Sequence, residues 1–290
     1  MSKVWFITGT STGLGRTLAE EVVRRGERLV ATVRKEGTNS DLVEQAPSRV
    51  KIITLDVTNS EQIRSGIQAA KDAFGRIDVL VNNAGYGLFG AAEEVSEEQI
   101  RHQIETNLLG SILSIKAVLP IMREQRSGYI VQISTAGGQL TTPGLSIYHA
   151  SKWGIEGFCE AVAQEVAAFG IKVTIVEPGG IRTDWAGRSM VHGTPLDAYS
   201  DTLVGQMRHL LGTLAPIGDP QKMADAIINL ANQEAAPLRL ALGSDTYTLL
   251  KAKLPLRLEQ LEANKDITLS TDADDLDETA RRWRELLPES

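Results

Sequence analysis

Cysteine is nearly absent. Cys159 stands alone, so no intrachain disulfide can form and the fold does not depend on an oxidising compartment. Its mostly apolar surroundings read as those of a buried, inert thiol. His102, His192 and His209 are scattered and no Cys/His cluster has metal-ligand spacing, so no metal is expected. No window reaches the roughly 18 apolar residues of a membrane span, and no membrane partner is expected. The start has only four consecutive apolar residues, Val4 to Ile7, before polar and Gly-rich sequence. That is too short for a secretory h-region, so a cytoplasmic location is expected. Positive charge is in deficit: 30 basic against 37 acidic side chains leave a net charge of −7. Nucleic acid is therefore a poor partner, because phosphate backbones need a positive face. No repeat, low-complexity tract or Pro/Ser linker marks a boundary, so a single domain over 1–290 is expected.

What is present is alternation. Val4 to Thr8, Arg28 to Val33, Val50 to Leu55, Val79 to Asn82, Tyr129 to Ser134, Lys172 to Glu177 and Leu238 to Leu242 are short, apolar and rich in Val and Ile. They read as strands of a parallel sheet buried on both faces. Amphipathic segments at 13–25, 60–74, 97–126 and 148–169 lie between them and predict helices. Strand and helix in this rhythm predict an α/β fold, a doubly wound parallel sheet with helices on both faces. Asn59 and Gly75 are cap candidates for 60–74, and Gly170 closes 148–169. Pro120 predicts a kink or break inside 97–126. Two regions stand outside the rhythm. Residues 185–217 suit a mobile lid over a pocket, with Trp185 and its apolar neighbours as equal candidates for pocket lining and for packing. Residues 244–290 form an amphipathic run followed by the acidic patch 272–278, read as a solvated tail or helix start.

Thr8-Gly9-Thr10-Ser11-Thr12-Gly13-Leu14-Gly15 follows the first strand directly and opens a helix. Glycines there allow a tight turn, close approach of backbone to a pyrophosphate and close helix packing, while the helix N-terminus supplies free N–H groups and partial positive charge. Further along stand Asp56-Val57, Asn82-Asn83-Ala84-Gly85, Asn107, Ser134, Tyr148-His149-Ala150-Ser151-Lys152 and Pro178-Gly179. In this order and spacing the chain resembles the compact branch of the short-chain dehydrogenase/reductase family from residue 3 to about 184. The resemblance implies a Rossmann-type sheet of seven strands. It also implies a dinucleotide held by Gly9, Thr10, Ser11, Gly13, Leu14 and Gly15, with Asp56 and Val57 at the adenine and Asn83, Ala84 and Gly85 beside its ribose. Pro178, Gly179, Ile181 and Thr183 would lie along the nicotinamide end. Asp56 could instead cap a turn, and Asn83 could pin neighbouring strands.

Charge bears on cofactor choice. A carboxylate at the end of the second strand would accept from a ribose 2′-OH and repel a 2′-phosphate. Here that strand ends Val33-Arg34, and Arg34 offers a planar fork to a phosphate, so NADP(H) is the expected cofactor.

Tyr148 and Lys152, one helical turn apart, share a face. A free phenol has a pKa of about 10; a nearby ammonium and an oxidised nicotinamide ring both favour the phenolate. Tyr148 can then donate a proton to a ketone oxygen or take one from an alcohol. By the resemblance Lys152 also binds the nicotinamide ribose, and Asn107 holds a water linking Lys152 to solvent. Ser134, at the carboxyl edge of its strand, would bond the substrate oxygen. His149 lies about 100° away from Tyr148 around a helix and should not face the same atom.

The reading is an NADP(H)-dependent oxidoreductase interconverting a carbonyl compound and an alcohol. Two alternatives stay open: a redox regulator that binds the nucleotide without turnover, and an epimerase or dehydratase with retained cofactor. The long C-terminus resembles that of uncharacterised bacterial oxidoreductases and of steroid-active family members with a similar Ala-Thr-Val-Arg strand end, and the second resemblance implies a bulky lipophilic carbonyl. The extension weighs against a tetramer, while 97–126 and 148–169 leave a homodimer open.

Overall fold

The computed structural model describes residues 2–290 except 184, 186, 188, 212, 214, 276 and 286–290. The expected substrate-loop region and C-terminal extension are therefore covered only in part. The chain divides into two compact units, Met1–Leu250 and Lys251–Ser290.

Nine strands are described: β1 (Val4–Ile7), β2 (Arg28–Val33), β3 (Val50–Thr54), β4 (Val79–Asn82), β5 (Gly87–Phe89), β6 (Gly128–Ile133), β7 (Ile171–Pro178), β8 (Met190–His192) and β9 (Arg239–Leu242). Seven form one parallel sheet in the order β3-β2-β1-β4-β6-β7-β9, as the resemblance implied. The order reverses between β1 and β4, the place where open α/β sheets leave a crevice outside their carboxyl ends. β5 and β8 form a separate parallel pair that the sequence pattern did not suggest.

The helices are α1 (Gly13–Arg24), α2 (Ser40–Gln45), α3 (Ser60–Phe74), α4 (Glu97–Ile104), α5 (Gly110–Gln125), α6 (Ser146–Val166), α7 (Leu203–Leu211), α8 (Pro220–Leu230), α9 (Ser244–Ala263), α10 (Lys265–Leu269) and α11 (Glu278–Glu285). Both faces of the sheet are covered. On one, Leu18 and Val22 of α1 and Ile227 of α8 pack against Ile7, Leu29 and Val81. On the other, Ile67 of α3, Ile115 of α5 and Ile155 of α6 pack against Phe6, Leu80 and Ile130. Cys159 lies in this second core, fully buried, and burial pushes its thiol up to about 12.

The run 97–125 is long and apolar enough to cross a membrane by length and composition, yet Ile115, Val118, Ile121 and Met122 of α5 are core residues. The break expected at Pro120 is absent, because α5 passes through it. Pro120 and Lys116 both lie on the exposed side, where the carbonyl deprived of its partner can face water. The irregularity falls earlier, in a π-helical turn at Glu105–Leu109 that contains Asn107. In the second unit, Leu254, Leu256, Leu258, Leu261, Ile267 and Leu269 are exposed.

Candidate active site

The end of the site beside α1 is made of backbone. Gly9 and Gly13 have φ of +69° and +60°, which L side chains rarely adopt. A Cβ on Gly9 would stand 2.8 Å from the Cα of Ala84, and one on Gly15 would collide with the Asn83 side chain and the Gly9 carbonyl. The turns after β1 and β4 therefore touch through their bare backbones. Asn83 Nδ2 donates to the carbonyls of Thr8 and Gly9 at 3.0 and 2.9 Å, and the amides of Asn83 and Ala84 both donate to the Thr8 hydroxyl.

Helix ends sharpen the picture. Asn59, Ser96 and Asp219 cap α3, α4 and α8 with side-chain hydrogen bonds. Thr12 at the start of α1 makes no such bond, and no acidic residue occupies the first turn. The N–H groups there have the geometry and partial charge to receive an anion. Thr183 abuts this end, its Cβ 3.7 Å from where a Gly13 Cβ would stand. Ser11 is exposed beside it, and Leu14 is buried.

Thr10 has a structural part as well. It is fully buried and its hydroxyl donates to the Thr32 carbonyl at 3.0 Å, so its side chain braces the loop rather than lining the cradle. Asn39 completes the brace, donating to the Thr10 carbonyl and hydroxyl while Arg16 donates to Asn39 Oδ1. This links the glycine turn to the segment carrying Arg34.

Arg34 is exposed at the end of β2. Asp56 Oδ1 accepts from the Thr58 amide and hydroxyl at 2.9 and 2.8 Å, the turn-capping alternative. Burial raises the Asp56 carboxyl, but the Thr58 donors and the charges of Arg34 and His102 outweigh it and leave it below its ordinary value. Arg34 and Asp56 thus share one electrostatic neighbourhood. Val57 is buried against Gly110. At the far end Gly179 donates to the Leu242 carbonyl at 2.9 Å, and Ile181 bridges Gly218.

The end of the site beside α6 is made of side chains. Tyr148 is buried among Phe89, Leu145 and Met190, with Val204, Met207 and Leu211 packed around them. The Trp185 ring lies 5.4 Å from the Tyr148 ring. Lys152 Nζ donates to the Ile133 carbonyl at 3.0 Å and lies 5.8 Å from the phenol ring centre. Burial pushes this ammonium down to about 8, with the Glu156 charge acting against it.

In the chain itself the phenol is not acidified by Lys152. Burial pushes its pKa above the ordinary value, opposed by a hydrogen bond from the Thr135 hydroxyl. The ammonium is turned to a backbone carbonyl, and desolvation of the phenolate wins.

Ser134 also differs from expectation. Its hydroxyl is committed to Glu156 Oε1 at 2.6 Å, and the hydroxyl beside the phenol belongs to Thr135. Successive residues of an extended strand point to opposite sides, so a shift of one residue exchanges which hydroxyl meets the site. Thr135 was legible only through that alternation.

Asn107 is buried, with Oδ1 accepting from the Tyr86 amide at 3.1 Å and Nδ2 donating to the Tyr86 carbonyl at 2.9 Å. A Cβ on Gly85 would come 3.1 Å from Asn107 Oδ1 and 3.9 Å from Lys152 Nζ, so Asn107 and Lys152 flank that glycine. His149 faces elsewhere, its ring bonded to the Gly137 carbonyl and the Thr142 amide.

The expected lid carries regular structure in β8 and α7. The β5–β8 pair straps it to the body, and Glu94, which sequence reasoning missed, clamps it. That buried carboxylate accepts from the Ala91 amide, the Leu196 amide and Arg208 at 2.7, 2.9 and 2.6 Å. Among the described residues no group of three His, Cys, Asp or Glu side chains could hold a metal.

Residues 3–191 match the short chain dehydrogenase family. The chain belongs to the short-chain dehydrogenase/reductase family. This family member is 43% identical over 248 residues to oxidoreductase BOA17 of Botryotinia fuckeliana, covering 84% of this chain and 90% of that one. A short-chain dehydrogenase from Streptomyces avermitilis has a similar structure, with a TM-score of 0.88 at 40% identity, covering 94% of this chain and 100% of that one. ElxO, solved with NADP bound, aligns with a TM-score of 0.70 at 27% identity, covering 86% and 100%. The chain is an oxidoreductase of this family.

Proposed function

We propose that the protein reduces lipophilic ketones or aldehydes with NADPH and runs the reverse oxidation with NADP, Tyr148 handling the proton. The observation that carries this reading is the buried phenol between the Thr135 hydroxyl and an apolar wall, at the carboxyl end of β6. When bound, the nicotinamide supplies or accepts the hydride. Gly9, Ser11, Gly13 and Gly15 would hold its pyrophosphate, Arg34 a 2′-phosphate, Asp56 the adenine, and Lys152 and Thr183 the nicotinamide end. The NADP bound by ElxO supports the choice of cofactor.

Tyr148 enters the reaction protonated, because burial keeps the phenol neutral, and donates to the carbonyl oxygen as that oxygen gains charge. Thr135 donates a second hydrogen bond to the same oxygen and fixes its place. Lys152, charged below about pH 8, holds the ribose and stabilises the phenolate left after proton transfer. Asn107 keeps the turn at Gly85 open beside Lys152, where the relay to solvent would run. Trp185, Met190 and Leu145 exclude water from the reacting atoms and favour apolar substituents.

The test is turnover of a panel of ketones and alcohols graded by lipophilicity, with NADPH and with NADH, followed by reduced-nicotinamide absorbance. Fastest turnover with NADPH and lipophilic ketones is expected. Tightly bound cofactor with no net consumption would favour an epimerase or dehydratase, and no conversion of any kind would favour a nucleotide-sensing regulator.

A further inference from the structure

Tyr148, Lys152 and Glu156 follow one another by single turns on α6, and they meet three consecutive residues at the end of β6. Lys152 takes the Ile133 carbonyl, Glu156 takes the Ser134 hydroxyl and Tyr148 takes the Thr135 hydroxyl. Glu156 is 2% exposed, and it is tied across the sheet. Arg239 of β9 donates to Glu156 Oε2, to Glu177 Oε1 of β7 at 2.9 Å and to Glu160 Oε2 of α6 at 3.0 Å. Glu177 is also buried and accepts from Gln139 through both oxygens, at 2.9 and 2.8 Å. A Cβ on Gly138 would collide with the Glu156 carboxylate.

Buried carboxylates around one guanidinium are a weak source of stability, since apolar residues of equal volume often do as well. Their place beside the proton-handling residues gives them another use. We propose that Glu156 is a positioning residue for the reaction: fixed by Ser134 and Arg239, its carboxylate locks α6 in register with β6 and sets a negative charge one turn from the Lys152 ammonium. The inference rests on the roles of Tyr148 and Lys152 proposed above.

The groups around Lys152 are Tyr148 and Glu156 on its own helix, the Ile133 carbonyl of β6, and neutral Asn107 across Gly85. Among the described residues Glu156 is the carboxylate whose charge acts on Lys152. Facing Glu156 are Arg239 of β9, Glu177 of β7, Ser134 of β6, and Glu160 and Cys159 of α6. Burial above all, with the Glu177 charge, holds the Glu156 carboxyl above its ordinary value, and the Ser134 hydroxyl and Arg239 offset only part of that rise.

The experiment is the pH profile of kcat/KM for NADPH with a saturating ketone in the wild type, Glu156→Gln and Glu156→Asp, beside Tyr148→Phe. In the wild type the rate falls above about pH 8 as Lys152 loses its proton. Glu156→Gln keeps the shape but removes the charge, so the alkaline limb moves down by about half to one pH unit. Glu156→Asp keeps the charge and recovers most of that shift. A purely structural role would lower the rate by one factor at every pH. An unmoved limb in Glu156→Gln, with turnover lost in Tyr148→Phe, overturns the inference and leaves the reaction standing. Retained turnover in Tyr148→Phe overturns the reaction itself. Should Glu156→Gln fail to fold, the double variant Glu156→Gln/Arg239→Gln removes opposite charges together; an unmoved limb there also overturns the inference.

Discussion

At the α1 end of the cleft the chain presents bare backbone and an uncapped helix terminus; at the α6 end it presents packed side chains in register with a strand. The first end needs absence. Gly9 and Gly15 leave room for turns to touch, and the Thr12 side chain makes no cap bond to the helix amides. The second end needs every partner to be present: Ile133, Ser134 and Thr135 each meet a different residue of α6. Adding an atom should therefore damage the first end, whereas removing or displacing one should damage the second.

The largest effect that sharpens this contrast is at Thr135. Thr135→Ala should lower kcat/KM by about 10²-fold, the scale of a lost oriented donor at a reacting oxygen. Ser134→Ala, whose effect passes through Glu156, should cost at least about fivefold less on the same scale. Equal losses in steady-state assays would break the distinction between the two hydroxyls.

Next comes Thr12→Asp, which adds a cap and a negative charge at the start of α1. It should raise the thermal stability of the cofactor-free protein by about 1 kcal/mol and weaken NADPH binding about tenfold or more by repulsion. Calorimetric titration beside thermal unfolding checks both signs, and tighter NADPH binding would refute the cradle. Arg34→Ala should reduce kcat/KM for NADPH by about tenfold and leave NADH nearly unchanged; an unaltered preference would remove Arg34 from the 2′-phosphate site. The smallest change is to the lid clamp. Arg208→Gln leaves Glu94 with its two backbone donors, so KM for a lipophilic ketone should rise about threefold with kcat steady.

Legibility followed the same divide. Strands buried on both faces announce themselves as Val- and Ile-rich runs, and β2 and β4 match their expected ranges. The glycine turn was readable because a missing side chain is visible in a sequence. Tyr148 and Lys152 were readable because helical spacing places them together. The partner hydroxyl was not, since Ser134 and Thr135 are adjacent and only the strand's facing separates them. The bracing role of the Thr10 side chain was not readable, because the motif does not reveal which of its side chains points inward. Glu156 carries no signal of burial on its helix, and nothing in the strands holding Glu177 and Arg239 tells that the three would meet until α6, β7 and β9 come together. The β5–β8 strap pairs three-residue segments about a hundred residues apart, beyond the reach of local pattern. Pro120 was a true helix-breaker by chemistry, tolerated because its side of α5 meets water.

The most direct measurement is the single-turnover rate of hydride transfer to a lipophilic ketone at saturating NADPH, in the wild type and in Tyr148→Phe, which loses only the hydroxyl. A neutral, buried phenol acting as proton donor predicts a fall of about 10² to 10⁴-fold with NADPH affinity unchanged. A rate in Tyr148→Phe equal to that of the wild type would contradict the account.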